Sequence, residues 1–413
     1  MASKQPRSAK YYLNAVHTLF ELILRRPSPT NVPIYCLHEP TTGCNLECPA
    51  CPTGVGLANL KETAELEDYE AVCSEFGQYL DVYYLFNWGE PTMARPLVRI
   101  LERLKNEPFQ VNMSTNFSVP LKDEVIAALA TMPNLSLRIN VDGATQESHE
   151  KYRVNSKLAT VMRNSQRLAE AIKTSATPPL RVYFAFLVFS YNKDEAETVA
   201  KMASDLGFKF DRYDDPLIAG EPMPANNIKV EDGFGCTWLY SSISPSPRLS
   251  HLAPCCGVWD KAMMSARPEG LSLHEAFMQE PRYMSRRQGD ADFAALPVQS
   301  RVDHLKNNMR NDTAMALNQQ GSKVDACVGC TMGSGYQHKL SHLIEGAAVA
   351  YARLQQIDVD TARRRLFTAL EDLLPGRNPA KRAEMIQILA MPPAKARTAA
   401  HYGAFLAYLK NLQ

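Results

Sequence analysis

Thr42-Gly43-Cys44-Asn45-Leu46-Glu47-Cys48-Pro49-Ala50-Cys51-Pro52-Thr53-Gly54 follows closely on Pro33-Ile34-Tyr35-Cys36-Leu37, a short apolar run that reads as a buried strand. Three thiols on one short loop after a strand suit an iron–sulfur cube. They can hold three corners, and with no fourth cysteine close by one iron stays open to a substrate or cofactor. A structural zinc loop is the alternative, but it needs a closed set of four ligands, and nothing at the usual spacing supplies the fourth.

Outward from this loop, short apolar runs alternate with helical patterns from Pro33 to about Asp215. Candidate strands begin at Pro33, Asp81, Phe109, Leu135, Leu180 and Phe208, with helical stretches near 62–80, 94–106, 121–132, 157–175 and 193–206. Repeated βα units imply a parallel sheet, and six of them fit an open barrel better than a closed eightfold one. In either form the strand C-termini carry the chemistry. The fold class expected is therefore α/β, a partial (β/α)6 TIM-like barrel.

At 413 residues, and roughly 150 residues per domain, the chain should hold two or three domains. Residues 1–32 read as an N-terminal helical extension, 33–220 as the partial barrel, 221–337 as a small cysteine-bearing domain and 338–413 as a helical appendage. The extension has Leu13, Val16, Leu19, Phe20, Ile23 and Leu24 on one face and is closed by Arg25-Arg26-Pro27. It is expected to dock on the body of the protein rather than rest on a membrane. Lys plus Arg number 45 and Asp plus Glu 44, a net charge of +1, so no electrostatic case for a nucleic-acid partner arises. No apolar run reaches the length of a membrane span and no signal peptide is present, so a cytoplasmic protein with a small-molecule or peptide substrate is expected.

Eight of the ten cysteines fall into three groups: Cys44/Cys48/Cys51, Cys236/Cys255/Cys256 and Cys327/Cys330. Such spacing in a chain without a secretory signal speaks for metal before disulfide. Cys36 and Cys73 stand alone and read as core residues. Past Pro216, prolines break up the chain, and a metal site would supply cross-links that a periodic core does not.

The Cys-x3-Cys-x2-Cys loop after the first strand resembles the signature of the radical S-adenosylmethionine (SAM) enzymes, although the residue before the third cysteine, commonly aromatic there, is Ala50 here. Later strand ends agree with the resemblance. Asn87-Trp88-Gly89-Glu90-Pro91 resembles the Gly-Gly-Glu-Pro segment that cradles the SAM amino group. A small Gly89 lets backbone approach, and Glu90 can accept from an ammonium, although a plain turn residue is the other reading. Ser114-Thr115-Asn116 and Asn140-Val141-Asp142-Gly143 resemble motifs that contact the SAM ribose and carboxylate. His149-Glu150-Lys151-Tyr152-Arg153 resembles a stretch whose arginine pairs with that carboxylate. Leu187 could pack the adenine or simply fill the core.

The resemblance implies a [4Fe–4S] cluster on Cys44, Cys48 and Cys51 that donates an electron to SAM, giving methionine and a 5′-deoxyadenosyl radical. An electron donor such as flavodoxin or ferredoxin is implied with it. No general base or nucleophile is assigned. The later cysteines resemble a C-terminal SPASM/twitch extension over about residues 225–335. On that basis Cys236, Cys255, Cys327 and Cys330 would hold one auxiliary [4Fe–4S] cluster, with Cys256 spare and a zinc ribbon as the other possibility. The segment Ser272-Leu273-His274-Glu275-Ala276-Phe277, followed by Arg282 and Arg286, resembles a helix of these extensions. The activity expected is that of a radical SAM oxidoreductase abstracting hydrogen from a small biosynthetic intermediate. The alternative is a peptide-modifying enzyme that cross-links or epimerises a ribosomal precursor.

Overall fold

The computed structural model describes residues 7–213, 237–253, 261–279, 337–374, 377–390 and 399–412. Six strands, β1 (Tyr35–Leu37), β2 (Val82–Tyr84), β3 (Gln110–Thr115), β4 (Leu135–Asn140), β5 (Arg181–Leu187) and β6 (Lys209–Tyr213), lie parallel and adjacent in chain order. Between them run α2 (Leu66–Phe76), α3 (Leu97–Leu104), α4 (Asp123–Ala130), α5 (Gln146–Tyr152), α6 (Leu158–Lys173) and α7 (Ala196–Asp205). Strands paired in sequence order wind in one direction only, which keeps the crossover helices on one face. The sheet does not close on itself, so the architecture is the expected open, partial (β/α)6 barrel.

Side chains alternate across each strand. Cys36, Tyr83, Val111, Met113, Leu137, Ile139, Val182, Phe184 and Phe186 enter one core with Tyr69, Val72, Phe76, Ile100, Leu129, Val161, Leu168 and Val199 from the helices. The opposite face carries Tyr35, Tyr84, Asn112, Ser114, Arg138, Asn140, Tyr183 and Tyr213, all partly accessible. A parallel sheet covered on both sides reads as continuous apolar runs. This alternation leaves the concave face polar and, among the described residues, partly accessible.

Beyond β1 the sheet continues in a way the sequence pattern did not indicate. After α8 (Trp238–Ser241), β7 (Ser242–Pro245) adds parallel to β1, and β8 (His251–Ala253) and β9 (Ser265–Ala266) follow antiparallel. The Ser272–Phe277 segment forms α9 (Leu273–Gln279), whose Leu273, Ala276 and Phe277 join the main core. Glu75 of α2 accepts hydrogen bonds from the first backbone N–H groups of this helix, Leu273 at 3.3 Å and His274 at 3.1 Å. Cys236, Cys255, Cys256, Cys327 and Cys330, with Arg282 and Arg286, lie outside the described residues.

The N-terminal helix α1 (Ala9–Leu24) and the C-terminal helices α10 (Gln337–Gln355), α11 (Val359–Glu371), α12 (Pro379–Ile388) and α13 (Gly403–Lys410) share a second core. Val16, Leu19, Phe20 and Ile23 meet Ala347, Tyr351, Leu366, Leu370, Phe405 and Leu409. Phe20 packs edge-on to Phe405, ring centroids 5.4 Å apart. The other side of α1 sends Leu22 against Ile34, Leu239 and Tyr240. Buried polar groups fix the exit of this helix. Asn14 accepts from Val32 N–H at 2.8 Å and donates to its carbonyl at 2.8 Å. Glu21 accepts from Thr30 N–H at 2.7 Å and pairs with Arg26 at 2.9 Å. The chain is thereby delivered to β1 at a set angle. Among the described residues no helix is long and apolar enough to cross a membrane.

Phe20 is fully buried at the junction of α1 and the tail. Phe20→Ala should cost about 3–5 kcal/mol of stability, read as a lowered denaturant midpoint, and an unchanged midpoint would separate the two helical regions energetically.

Candidate functional site

The long connection between β1 and α2 is pinched shut at its base. Thr42 N–H donates to Glu62 O at 3.0 Å, Glu62 N–H to Thr42 Oγ1 at 3.0 Å, and Ala64 N–H to Pro40 O at 2.9 Å. Within the closed loop, Cys51 N–H bonds Cys48 O at 3.1 Å and Val55 N–H bonds Cys51 O at 3.0 Å. Gly54 folds back onto this turn so closely that a Cβ there would meet Cys48 O at 2.5 Å and Cys48 N at 2.6 Å. The loop can close around the cysteines only with glycine at that position. Cys48 then packs with Leu46, Tyr152, Leu187 and Phe189, and Cys44, Ala50 and Cys51 lie against the same group. The loop is anchored across the sheet by Glu47 N–H donating to Val154 O at 3.2 Å.

The end of β2 lies directly on this loop. A Cβ on Gly89 would stand 1.8 Å from Thr41 O. Glu90 N–H donates to Gly43 O at 2.8 Å. One oxygen of the buried Glu39 carboxylate accepts both Trp88 N–H, at 2.8 Å, and Gly89 N–H, at 2.7 Å. Glu90 is 3% exposed and ties the β2 and β3 ends together. Its Oε1 accepts from Thr92 N–H at 3.0 Å, Thr92 Oγ1 at 2.6 Å and Thr115 Oγ1 at 2.5 Å, and its Oε2 from Asn116 N–H at 2.7 Å. Spare acceptor capacity is left on Oε2 alone.

At the β3 end Asn116 turns its amide to the loop, donating to Asn45 Oδ1 at 2.9 Å and toward Cys44 Sγ at 3.8 Å. Asn140, at the end of β4, donates to Ser114 Oγ at 3.2 Å and to Thr115 O at 3.0 Å. Asp142 is fully buried and accepts from Leu187 N–H at 2.7 Å and from Arg153 Nε at 2.6 Å. The structure thus gathers Gly89, Glu90, Ser114, Asn116, Asn140, Asp142 and Arg153 at one end of the sheet beside Cys44, Cys48 and Cys51. Asp142 and Arg153 form an ion pair, and Leu187 belongs to the apolar group at the cysteines.

Three positioning groups went unnoticed in the sequence. Glu39 is a lone carboxylate at a strand end. Asn192 is a buried amide that donates to Asp142 O and Leu187 O, both at 2.9 Å. His149 accepts from Asp142 N–H at 3.2 Å through Nδ1 and meets Ser156 Oγ at 2.8 Å through Nε2, and burial holds it neutral by lowering its pKa to about 4. Glu39 and Asn192 give only the signal of a polar residue after an apolar run, and His149 stands at the head of the stretch quoted for Arg153 without a role of its own.

The electrostatics suit a cationic centre among the thiols. Burial pushes Cys44 up to about 12, and the neighbouring Glu90, Cys48 and Cys51 push it in the same direction. Burial also raises Cys48, opposed by the Arg153 guanidinium. Thiols so placed become thiolates only beside added positive charge, which bound iron supplies. Among the described residues no three His, Cys, Asp or Glu side chains converge on a point that would hold one metal ion.

Burial raises Glu39 to about 7 despite its two backbone donors. Its folded-state value lies above the unfolded value of 4.5, so this contribution to stability is full below about pH 4.5 and is lost as the pH rises through 7. Glu39→Gln keeps an acceptor for both N–H groups without the titration. Between pH 4.5 and 7 the wild type should lose roughly 3 kcal/mol relative to this variant. Denaturant unfolding of both proteins across that range checks it, and parallel pH profiles would contradict it.

A family model described as the Radical SAM superfamily matches residues 38–203. The mycofactocin maturase MftC of Mycobacterium ulcerans is 29% identical over 143 residues, 34% of this chain and 38% of that protein. The PqqA peptide cyclase of Rhodopseudomonas palustris is 27% identical over 113 residues, 27% of this chain and 30% of that protein. The likeness therefore spans well under half the length of either relative. The solved structure of Streptococcus suis SuiB bound to S-adenosylmethionine aligns with a TM-score of 0.43 and 13% identity, covering 62% of this chain and 68% of that one, too loose a likeness to carry site geometry across. The matched segment, residues 38–203, is the part of the chain that holds the cysteine loop and the strand-end cradle, and the superfamily it matches is one whose enzymes use a [4Fe–4S] cluster and S-adenosylmethionine.

Proposed function

We propose that this chain is an iron–sulfur oxidoreductase that cleaves SAM reductively and abstracts hydrogen from a carbon of its substrate, with Cys44, Cys48 and Cys51 as the ligands of the SAM-binding cluster. The observation that carries this reading is the half-buried three-thiol loop laid against the β2 end, inside the matched segment. Cluster and SAM, when bound, supply a 5′-deoxyadenosyl radical for the abstraction.

The chain's own residues hold and shield the reactants. Glu90 offers Oε2 to the SAM ammonium, while its other bonds keep it from turning away. The backbone beside Gly89 is bare enough for close approach. Ser114, Asn140 and Asn116 present polar groups to the ribose. Arg153, its Nε held by Asp142, presents its remaining N–H groups to a carboxylate. Leu46, Tyr152, Leu187 and Phe189 keep water from the loop. Cys236, Cys255, Cys327 and Cys330 would hold the auxiliary [4Fe–4S] cluster, and a flavodoxin or ferredoxin would deliver the electron.

The names of the relatives, a maturase and a peptide cyclase, favour a peptide as substrate over the small biosynthetic intermediate that the sequence first suggested. The polar concave face below the loop is compatible with either, and deuterium transfer from labelled candidates to 5′-deoxyadenosine separates the two.

Wild-type protein reconstituted with iron and sulfide without oxygen, then reduced with SAM present, should release 5′-deoxyadenosine. Cys48→Ala should release none while keeping its far-ultraviolet circular dichroism, because two thiolates cannot hold the cube in register. Continued release by that variant would refute the ligand assignment. Iron and sulfide analysis tests the auxiliary cluster: two four-iron clusters are expected in the wild type and one in a variant with Ala at residues 44, 48 and 51. Zinc in that variant, prepared with iron available, would exclude the second cluster.

A further inference from the structure

The concave face of the sheet carries a guanidinium that the cofactor cradle does not use. Arg138 lies on β4, opposite Ser114 of β3 and Tyr183 of β5. It sits one inward-facing position below Asn140, about 6–7 Å from it along the strand. Its Nε donates to Tyr183 Oη at 3.2 Å and its Nη2 to Tyr213 Oη. Its charge sits over both rings, 5.5 Å from the centroid of Tyr183 and 4.5 Å from that of Tyr213. Tyr213 in turn donates to Asp211 Oδ2 at 2.6 Å, which aims its lone pairs at the guanidinium.

Two features of this arginine bear on what it can bind. Among the described residues no carboxylate pairs with it, whereas Arg7, Arg26, Arg103 and Arg153 each have one. Burial raises the phenol of Tyr213, so Tyr213 stays neutral, and the Asp211 carboxylate reaches the guanidinium only through that phenol. Among the described residues Nη1 makes no hydrogen bond, while Nε and one Nη2 proton are held. A half-buried cation pinned by neutral acceptors, with no carboxylate in direct contact among the described residues, can take an anion on its free edge, and the planar fork matches a carboxylate. Its place fits the reaction proposed above, because the Tyr213 ring packs against the group formed by Leu46, Cys48, Tyr152, Leu187 and Phe189. An anion on Arg138 would lie one side chain below the cysteine loop.

We propose that Arg138, held between Tyr183 and Tyr213 on the polar face of the sheet, binds a carboxylate group of the substrate. This names the substrate chemistry of the site proposed above and rests on that reading.

The test uses reconstituted full-length protein with SAM bound and two probes, an aspartate blocked as its N-acetyl amide and the matching blocked asparagine, with binding followed by ligand-observed NMR. The wild type should bind the aspartate probe about tenfold more tightly than the asparagine probe. Arg138→Gln should abolish that preference and leave SAM affinity, measured by equilibrium dialysis, unchanged. Arg138→Lys, which keeps the charge but not the fork, should retain part of the preference and serves if the Gln variant fails to fold. Equal binding of the two probes by the wild type, or a preference that survives Arg138→Gln, would overturn the proposal. A fall in SAM affinity in Arg138→Gln would also overturn it, since the carboxylate bound would then be that of SAM. Release of 5′-deoxyadenosine without probe is followed in parallel, so a failed anchor leaves that release intact, while failure of the radical SAM reading abolishes it in the wild type.

Discussion

Gly89 lies so close to the Thr41 carbonyl that no side chain fits between them, and the site depends on this contact. It lets the end of β2 rest on the root of the cysteine loop, where Glu39 grips Trp88 and Gly89 from below and Gly43 accepts from Glu90. Glu90, once placed, captures Thr115 and Asn116 and so fixes the end of β3. Asn116 reaches back to Asn45 and Cys44. A chain of short polar contacts thus starts from one missing Cβ and registers three strand ends against the thiols.

The sheet behind this arrangement divides its labour by face. The helix side is closed by aromatic and branched side chains and carries the stability. Among the described residues the concave side is spared from packing and is polar. Closing the barrel would have required that face to be filled with apolar residues. The open form leaves room for Asn112, Ser114, Arg138, Asn140 and the tyrosines around them. At the β1 edge the sheet is extended by β7 and braced by α1, which the C-terminal helices hold from the other side. The N-terminal helix therefore carries load between two cores.

The βα repeat was legible because each strand from β1 to β6 carries its own apolar signal, and the strand starts fall within two residues of where the pattern placed them. The cysteine loop and the strand-end residues were legible for a different reason, since each is a polar or small residue where an apolar run stops. The strand β7 was not, because Ser242-Ile243-Ser244-Pro245 has one apolar residue and gains its place only from pairing with β1. The tail helices showed their apolar stripes but not their partner, because a stripe names a face and not what covers it. Glu39 escaped for the same reason: its role lies in two backbone N–H groups about fifty residues away. For Glu90 the structure adds what spacing could not, that most of its acceptor capacity serves the scaffold.

The account stands on a cluster held by three thiolates with one iron left for SAM. The most direct measurement is the electron paramagnetic resonance spectrum of the reduced, reconstituted protein before and after SAM is added. A [4Fe–4S]+ signal whose g-values shift on addition of SAM, and which is lost in the variant with Ala at residues 44, 48 and 51, is the predicted result. A spectrum unmoved by SAM would contradict the account, because every iron would then be closed to it.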